Sequence, residues 1–484
     1  MIDTEALRKK VIDLAIQGKL TEQLSSDGDA ETLYSQIQEE KAKLIKIGKI
    51  RKERMLQQIT EKAIPYSIPN SWKWVRLESI GYFISGYTPS ADELYSEGNI
   101  PYFKVSDMNL EKNKIYLTYT SLYLRGNSNT KQFDKNTIVY PKNGGALLTN
   151  KKRILGQNSV VDLNTGGFMP VGGTNVNYVY LLFLNIDFQQ YHKGSAVPTL
   201  DMIGIKNIMV PLPPILEQKR IVDAVNCAFE SIDIIDELQQ QYEFDREILK
   251  GKIIDAGIRG MLTEQLPEDS NVEDVLKSIR SEKEAILVKR KGRPDKNIKG
   301  IGGDVPFEIP NHWRWVRLGD IGLFKKGPFG SSLTKTMFVP KGDDTIKVYE
   351  QQNAIQKNSN LGTYYITRKY FETKMISFEV CSGDIIVSCA GTIGESYIMP
   401  DDIEPGIINQ ALMRITLPSS INKRFFQYYF DANLKKNAQE ESNGSAIKNI
   451  PPFDVLKNWY FPVSSYEEQE RISNRINELI SLIN

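Results

Sequence analysis

The longest uninterrupted pattern begins at Pro211: PLPPILEQKRIVDAVNCAFESIDIIDELQQQYEFDREILKGKIIDAGIRGMLTEQL, with no further proline until Pro267. The opening prolines stop a preceding strand and preset a first helical turn. Beyond them, apolar or long side chains recur in alternating steps of four and three. They are Ile221, Val225, Ala228, Ile232, Ile235, Gln239, Tyr242, Arg246, Leu249, Ile253 and Ala256. That is a heptad seam with polar breaks at Gln239 and Arg246. It predicts a long helix within 213–264, where some 45 helical residues at ~1.5 Å each make a rod of roughly 70 Å. A rod of that length needs a partner helix. Elsewhere two runs, 65–212 and 306–463, alternate short β-branched and aromatic segments with frequent Gly and Asn. These predict two globular domains rich in short strands.

The chain repeats itself. Ile12-Asp13, Gly18 and Leu-Thr-Glu-Gln-Leu at 20–24 return as Ile254-Asp255, Gly260 and Leu-Thr-Glu-Gln-Leu at 262–266. IPNSWKWVRLESIG at 68–81 returns as IPNHWRWVRLGDIG at 309–322, and Gly194-Ser195-Ala196 as Gly444-Ser445-Ala446. Pro211 with Glu217-Gln218, Arg220 and Ile221 matches Pro462 with Glu468-Gln469, Arg471 and Ile472. Four blocks in one order, offset by about 240–250 residues, mark a tandem duplication. Its frame is shifted. The central helix is entire, whereas its counterpart is divided between YEEQERISNRINELISLIN at the C-terminus and TEALRKKVIDLAIQGKL at the N-terminus. The two ends are therefore expected to form a second long helix, antiparallel to the first.

The expected organisation is 1–24 as part of the second helix, 25–64 as a charged helical linker and 65–212 as the first domain. The central helix follows at 213–264, then a second charged linker at 265–305, the second domain at 306–463 and the C-terminal helix at 464–484. The linkers carry Lys41, Lys43, Lys46, Lys49, Arg51, Lys52 and Arg54, and Lys289, Arg290, Lys291 and Arg293. Such runs read either as solvated helix faces or as phosphate-contacting arms. The domains open and close alike, but SGYTPSADELYSEGNIPYFKVSDMN and KKGPFGSSLTKTMFVPKGDDTIKVYEQQN do not align without gaps. Equal frames with unequal inserts suit two readers held at a fixed separation. The fold class is α+β: two β-rich mixed domains separated by long antiparallel coiled-coil helices in a pseudo-twofold repeat.

Composition narrows the function classes. Of 484 residues, 40% are hydrophobic and 10% aromatic, enough for real cores. Cys227, Cys381 and Cys389 form no CxxC pair and are odd in number, which points to a reducing compartment. MIDTEALRKK lacks an apolar signal core, and the longest aromatic-aliphatic run, Tyr178 to Leu184, is too short for a bilayer. Cytoplasmic localisation without membrane association is expected. The net charge of +1 balances 61 basic against 60 acidic residues, so a DNA-binding face would need segregated charge.

Catalytic signatures are missing. The two histidines, His192 and His312, have no cysteines at metal-ligand spacing. There is no GxxxxGK[ST], GxGxxG or GxSxG, and Asn449-Ile450-Pro451-Pro452-Phe453 departs from the Asn-Pro-Pro-aromatic quartet of amino-methyltransferases. Recognition chemistry is better represented. Gly144-Gly145 precedes Lys151-Lys152-Arg153, and Lys325-Lys326-Gly327-Pro328-Phe329-Gly330-Ser331-Ser332 lies just inside the second domain, with Lys335 beyond it. Glycines let backbone N–H groups approach phosphates, and Lys and Ser supply contacts. Lys142, Asn143, Lys347, Gln351 and Gln352 are candidate base readers, because Asn and Gln pair bidentately with adenine and Lys with guanine. Trp72, Trp74, Trp313 and Trp315, with Arg76 and Arg317, recur in both halves and read as framework.

PLPPxxEQxRI, GIRGMLTEQL, IPxxWxWVRLxxIG and the inserts opening SGYTPS and KKGPFGSSL together resemble the specificity subunits of type I restriction–modification systems, across essentially the whole chain. The resemblance implies that 65–212 and 306–463 each read half of a bipartite, asymmetric site in double-stranded DNA. It implies that the helices set the gap, that Glu217, Arg220, Glu468 and Arg471 are candidates for docking two modification (methyltransferase) subunits, and that restriction subunits join through these. It implies no catalysis and no cofactor in this chain, S-adenosylmethionine, ATP and Mg belonging to the partners. Readings from other classes are a specificity component of a type II-like or phage-exclusion methylation system, a coiled-coil adaptor for protein, and an enzyme with an unrecognised site.

Overall fold

The computed structural model describes residues 1–51, 58–126, 131–194, 197–290, 298–390, 392–441 and 450–484. Lys52, Arg54, Lys291, Arg293, Ser195, Ala196, Asn449 and the repeat at 444–446 lie outside the described residues. The chain divides into two compact units, Met1–Gln241 and Tyr242–Asn484. The longer helices are α1 (Thr4–Ile16), α2 (Ala30–Lys46), α3 (Val176–Asn185), α4 (Ile215–Ile258), α5 (Val272–Lys289), α6 (Lys423–Glu441) and α7 (Tyr466–Ser481).

In the first unit, the repeated Trp-x-Trp-Val-Arg block becomes strand Lys73–Arg76, paired antiparallel with Met209–Leu212, so that Trp74 faces Pro211. The opening and closing segments of the domain therefore form one ribbon. Above it, strands Gly81–Ser85, Thr165–Pro170, Ile138–Pro141, Arg153–Leu155 and Tyr116–Leu117 form a sheet in that order, antiparallel except for the last pair. A smaller four-stranded sheet carries Leu94–Tyr95, Tyr123–Leu124, Ile100–Phe103 and Val160–Val161. The main core gathers Tyr140, Phe168, Phe183 and Phe188 with α3 and the apolar faces of α1, α2 and α4.

The second unit repeats the frame. Arg314–Arg317 pairs with Tyr460–Val463, Trp315 facing Pro462. Two four-stranded sheets follow, one of Leu323–Lys326, Leu412–Thr416, Ile385–Ser388 and Ser396–Ile398, the other of Tyr365–Thr367, Thr345–Tyr349, Gly406–Ile408 and Glu379–Val380. Its core joins Phe425, Phe426 and Tyr429 of α6 to Phe461 and Trp313. The gapped inserts thus become sheets of different order, whereas the matching blocks become the same ribbon.

The charged stretches expected as linkers start as packed helices. In α2, Asp29 caps the first turn, and Leu33 and Ile37, four apart, are buried. Its Lys41 is also buried, with Nζ donating to the carbonyls of Glu78 and Gly81. In α5, Asn271 caps the helix, Val275 and Ile279 are buried, and Lys283 Nζ reaches the Gly319 carbonyl. Lys41 is not a phosphate-contacting residue, because burying an ammonium demands fixed acceptors and the domain supplies them.

The long helix α4 is continuous, and each terminal helix lies antiparallel on the part of it within its own unit. Against the first part, Thr4 donates to Asp236 at 2.6 Å, Arg8 to Asp233 at 2.6 Å, and Ile12 and Ile16 enter a core with Ile221 and Val225. Against the second, Ile472 and Ile476 of α7 close on Gly257 and Ile258. Of the expected seam, Ile221, Val225 and Ile232 are buried, and Gln239 pairs with the backbone of Ile2. Tyr242 and Leu249 are instead exposed. In the first unit α1 reaches no further along α4 than Gln239, and a straight helix drifts by ~20° per heptad from a seven-residue repeat.

Glycine ends both helices of the repeat. Gly18 (φ 68°) follows α1, with Lys19 N–H on Leu14 O at 2.9 Å; Gly260 (φ 73°) follows α4, with Met261 N–H on Ala256 O at 2.9 Å. These are Schellman closures. A Cβ on Gly18 would stand 2.5 Å from Pro69 Cγ, and one on Gly260 2.7 Å from Pro310 Cγ. Gly18→Ala and Gly260→Ala are each expected to cost about 1–2 kcal/mol from the left-handed backbone alone, with the clash adding to it. Urea midpoints of the full chain would show the loss, and an unchanged midpoint would refute it.

Candidate nucleic-acid interface

The candidate residues of the first domain separate by burial. Lys142 follows strand Ile138–Pro141, its backbone tied to Asn164 O at 2.8 Å and to Leu200 N at 2.9 Å. Its side chain is half-buried, and desolvation holds its ammonium pKa below the ordinary value, partly offset by Asp162. Asn143 bridges Thr199 across the turn. Gly144 (φ 71°) and Gly145 have nothing within 4 Å of an added Cβ, so this turn faces open space.

The Lys-Lys-Arg run is different. Lys152 is 1% exposed, its Nζ donating to Asn150 Oδ1 and Ile186 O, both at 2.6 Å, above the Phe188 ring. Burial lowers its pKa to about 7. Arg153 donates to the carbonyls of Lys152 at 2.7 Å and Met108 at 2.8 Å, and Lys151 bonds Asn109. The expectation that Lys152 contacts DNA is corrected: it lies just before strand Arg153–Leu155 and is buried, where fixed acceptors hold its ammonium.

The second domain shows the same division. Lys347 is 1% exposed and donates to Ser359 O at 2.8 Å and Glu404 Oε1 at 3.3 Å, so it too is structural. Gln351 and Gln352 are half-buried, and Gln352 Nε2 donates to Glu350 at 2.9 Å. Lys325 is half-buried over Phe378. Lys326, Ser331 and Lys335 are exposed, and Ser332 accepts Tyr370 Oη–H through its carbonyl at 2.8 Å. The loop is pinned at its root, since a Cβ on Gly327 would stand 1.8 Å from Asn409 O and Pro328 is buried. Between them these anchors present Phe329 at 87% exposure. From Phe324 to Pro340 there are three lysines and no carboxylate.

The sequence pattern did not single out Phe329 as a candidate contact, nor the cation–tyrosine pairs of the first domain. Arg125 lies 4.4 Å from the Tyr95 ring and Lys112 4.6 Å from the Tyr119 ring, both rings being exposed. Aromatic faces beside cations suit stacking and phosphate contact together. The signal was a loop rich in Lys and Tyr, visible only once its partners were placed.

Glu217 and Glu468 are buried, and Arg220 and Arg471 are half-buried but engaged within the chain. Glu217 accepts Trp72 Nε1–H at 2.7 Å and Gln23 Nε2–H at 2.6 Å; Glu468 accepts Trp313 Nε1–H at 2.9 Å and faces His312 Nε2 at 3.0 Å. Burial raises the Glu217 pKa against the lowering effect of Trp72. Arg220 grips Asp27 at 2.5 and 2.6 Å, and Arg471 grips Asp269 at 2.7 Å twice. These side chains bind the chain to itself and offer a partner no free carboxylate or guanidinium. Apolar surface on α4 lies elsewhere: Ile234 and Leu238 in the first unit, Tyr242, Phe244, Ile248 and Leu249 in the second.

The model of the type I restriction modification DNA specificity domain matches residues 69–243 and again 310–484. The chain belongs to this family. It is 22% identical to the type I restriction enzyme EcoAI specificity subunit of Escherichia coli, over 99% of this chain and 89% of that one. It is also 22% identical to the MjaVIII specificity subunit of Methanocaldococcus jannaschii, over 86% and 88%. A chain solved in work on complex assembly and conformational transition of the type I R-M system superposes with a TM-score of 0.58 at 15% identity, covering 87% of this chain and 92% of that one. Both copies of the family domain end on a segment that holds Glu-Gln-x-Arg, at 217–220 and 468–471.

Among the described residues no three His, Cys, Asp or Glu side chains converge as a metal site, and no helix is long and apolar enough to cross a membrane.

Two outcomes check the division of charge. Lys326→Ala and Lys335→Ala should each lower the salt dependence of DNA binding by about one phosphate contact, whereas Lys152→Met and Lys347→Met should leave that slope unchanged. A reduced slope for Lys152→Met would return it to the interface. Hydrogen bonds from Arg220 and Arg471 hold the Asp27 and Asp269 pKa values below the usual carboxylate range. Both pairs therefore contribute stability in full above about pH 4, the unfolded value, and lose it as pH falls through the depressed folded values. Asp27→Asn with Asp269→Asn should be less stable at pH 7 and flatter in its acid Tm profile. An acid profile parallel to that of the parent would refute the assignment.

Proposed function

We propose that the chain is the DNA-specificity subunit of a type I restriction–modification complex, its two domains each reading one half of a bipartite, asymmetric site. The observation that carries this reading is one frame built twice around different inserts, within a family of DNA specificity domains. Two interfaces on one chain add their discrimination, which is what a long asymmetric target requires. Half-sites read from one side lie about one helical turn, roughly 34 Å, apart.

In this proposal Lys326, Phe329, Ser331 and Lys335 meet DNA in the second domain, and Lys142, Asn143, Lys112 and Arg125 in the first. Lysines neutralise phosphates, and Asn and Ser reach base edges. Phe329 stands where an apolar wedge or stacking platform would work. Two modification subunits dock on the exposed apolar side chains of α4, and restriction subunits assemble through them. The chain carries out no chemistry itself; S-adenosylmethionine, ATP and Mg serve the partners, in the cytoplasm.

Methylome sequencing of a host carrying the assembled system should report a two-part motif. Exchanging 325–352 for the corresponding insert of another relative should change only one part. Alteration of both parts would defeat the modular reading, and loss of DNA retention in the presence of the modification subunits would favour a protein adaptor.

A further inference from the structure

Three neighbouring residues at the start of α4 tie three separate parts of the first unit to one short stretch of helix. Glu217 holds the indole of Trp72 in the opening strand and the side chain of Gln23. Gln218 accepts from the backbone N–H of Asn175, the cap of α3, at 3.0 Å, and donates to Pro213 O at 2.9 Å. Arg220 grips Asp27 and the Glu22 carbonyl beyond α1. At ~100° per residue these side chains leave the axis in three directions, so together they block rotation as well as tilt.

The second unit repeats these ties with one exchange, His312 facing Glu468 where Gln23 serves Glu217. Glu468 holds Trp313, Gln469 accepts from Asn422 N–H, the residue before α6, at 3.0 Å and donates to Ser464 O at 3.0 Å, and Arg471 grips Asp269 and the Glu264 carbonyl. Glu217, Gln218, Glu468 and Gln469 are each no more than 1% exposed. The inserts of the two domains differ so far that they do not align without gaps, yet the indole, backbone N–H and aspartate partners of this joint recur in both units. A joint that only packed would tolerate apolar replacements. Buried polar ties with directional partners instead specify one angle.

We infer that the Glu-Gln-x-Arg joints are positioning elements that set how strictly the subunit discriminates spacer length between half-sites. This inference rests on the bipartite reading above. The lever is sensitive. Over one turn of DNA, roughly 34 Å, a tilt of about 6° displaces a domain by roughly 3.4 Å, one base-pair step.

The test uses the full chain assembled with its modification subunits. Duplexes share both half-sites and differ only in spacers one or two base pairs shorter or longer than the native one. Single-base changes in each half-site serve as the second readout. The parent should prefer its native spacer by about tenfold per base pair, the scale of one mismatched pair. Glu217→Leu with Glu468→Leu should bring that preference within about threefold while leaving the half-site penalties intact. Glu217→Gln with Glu468→Gln, which keeps an acceptor for both indoles, should restore it.

Should the leucine variant fail to fold, Arg220→Lys with Arg471→Lys keeps the charge but loses the two-pronged grip, and should relax the preference in the same way. A folded leucine or lysine variant that keeps the parental spacer preference would overturn the inference. A parent without any spacer preference would overturn the bipartite reading itself, and with it this inference, a failure distinguishable because it appears before any substitution.

Discussion

A carboxylate taken out of water must find donors, and this chain does so twice at the same place. Glu217 and Glu468 are buried where domain, turn and helix meet, each facing an indole N–H and a second nitrogen donor. Desolvation of such a group costs several kcal/mol unless geometry compensates, and removal of one partner leaves it unpaired. The tryptophan can meet the carboxylate only if the opening strand lies beside the closing strand, as the ribbon pairing ensures. The turn after each terminal or central helix must arrive from the glycine closure at the right angle, and the arginine clamp on Asp27 or Asp269 fixes that arrival. Ribbon, glycine turn and clamp are mutually dependent, which explains why their residues recur together.

Charge is divided between two tasks by burial. Lys41, Lys152, Lys283 and Lys347 spend their ammonium groups on backbone carbonyls or fixed side chains, closing helix to sheet or strand to loop. Lys326 and Lys335 stay exposed on a loop whose root is pinned at Gly327 and whose tip, Phe329, is free. A near-neutral chain can in this way present local positive surface without a basic overall composition. The same economy governs α4. Its ends are consumed by the joints and by α1 and α7, while apolar side chains between them stay uncovered in each unit.

Much of the architecture was legible because it rests on short-range rules. The proline-bounded heptad gave the long helix, the matched blocks gave two copies of one frame, and the unmatched inserts gave two different sheets. The candidate contacts were less legible. Lys152 and Lys326 look equivalent in composition, each beside another lysine and near glycines, yet one is sealed under Phe188 and the other is free. The misplaced seam at Tyr242 and Leu249 has a similar origin: periodicity says which positions share a face, but not how far the covering helix extends.

By itself, then, the sequence determined the duplication, the continuous helix and the segments that had to behave alike, since propensity, pattern and repetition are local properties. Only the tertiary structure decided the work of Glu217, Arg220, Glu468 and Arg471. Their partners lie 145–202 residues away along the chain, and polar side chains acquire a role from whatever the fold brings within about 3 Å of them. The helix read first as a spacer is also a socket, its first turns gripping the domain that it holds.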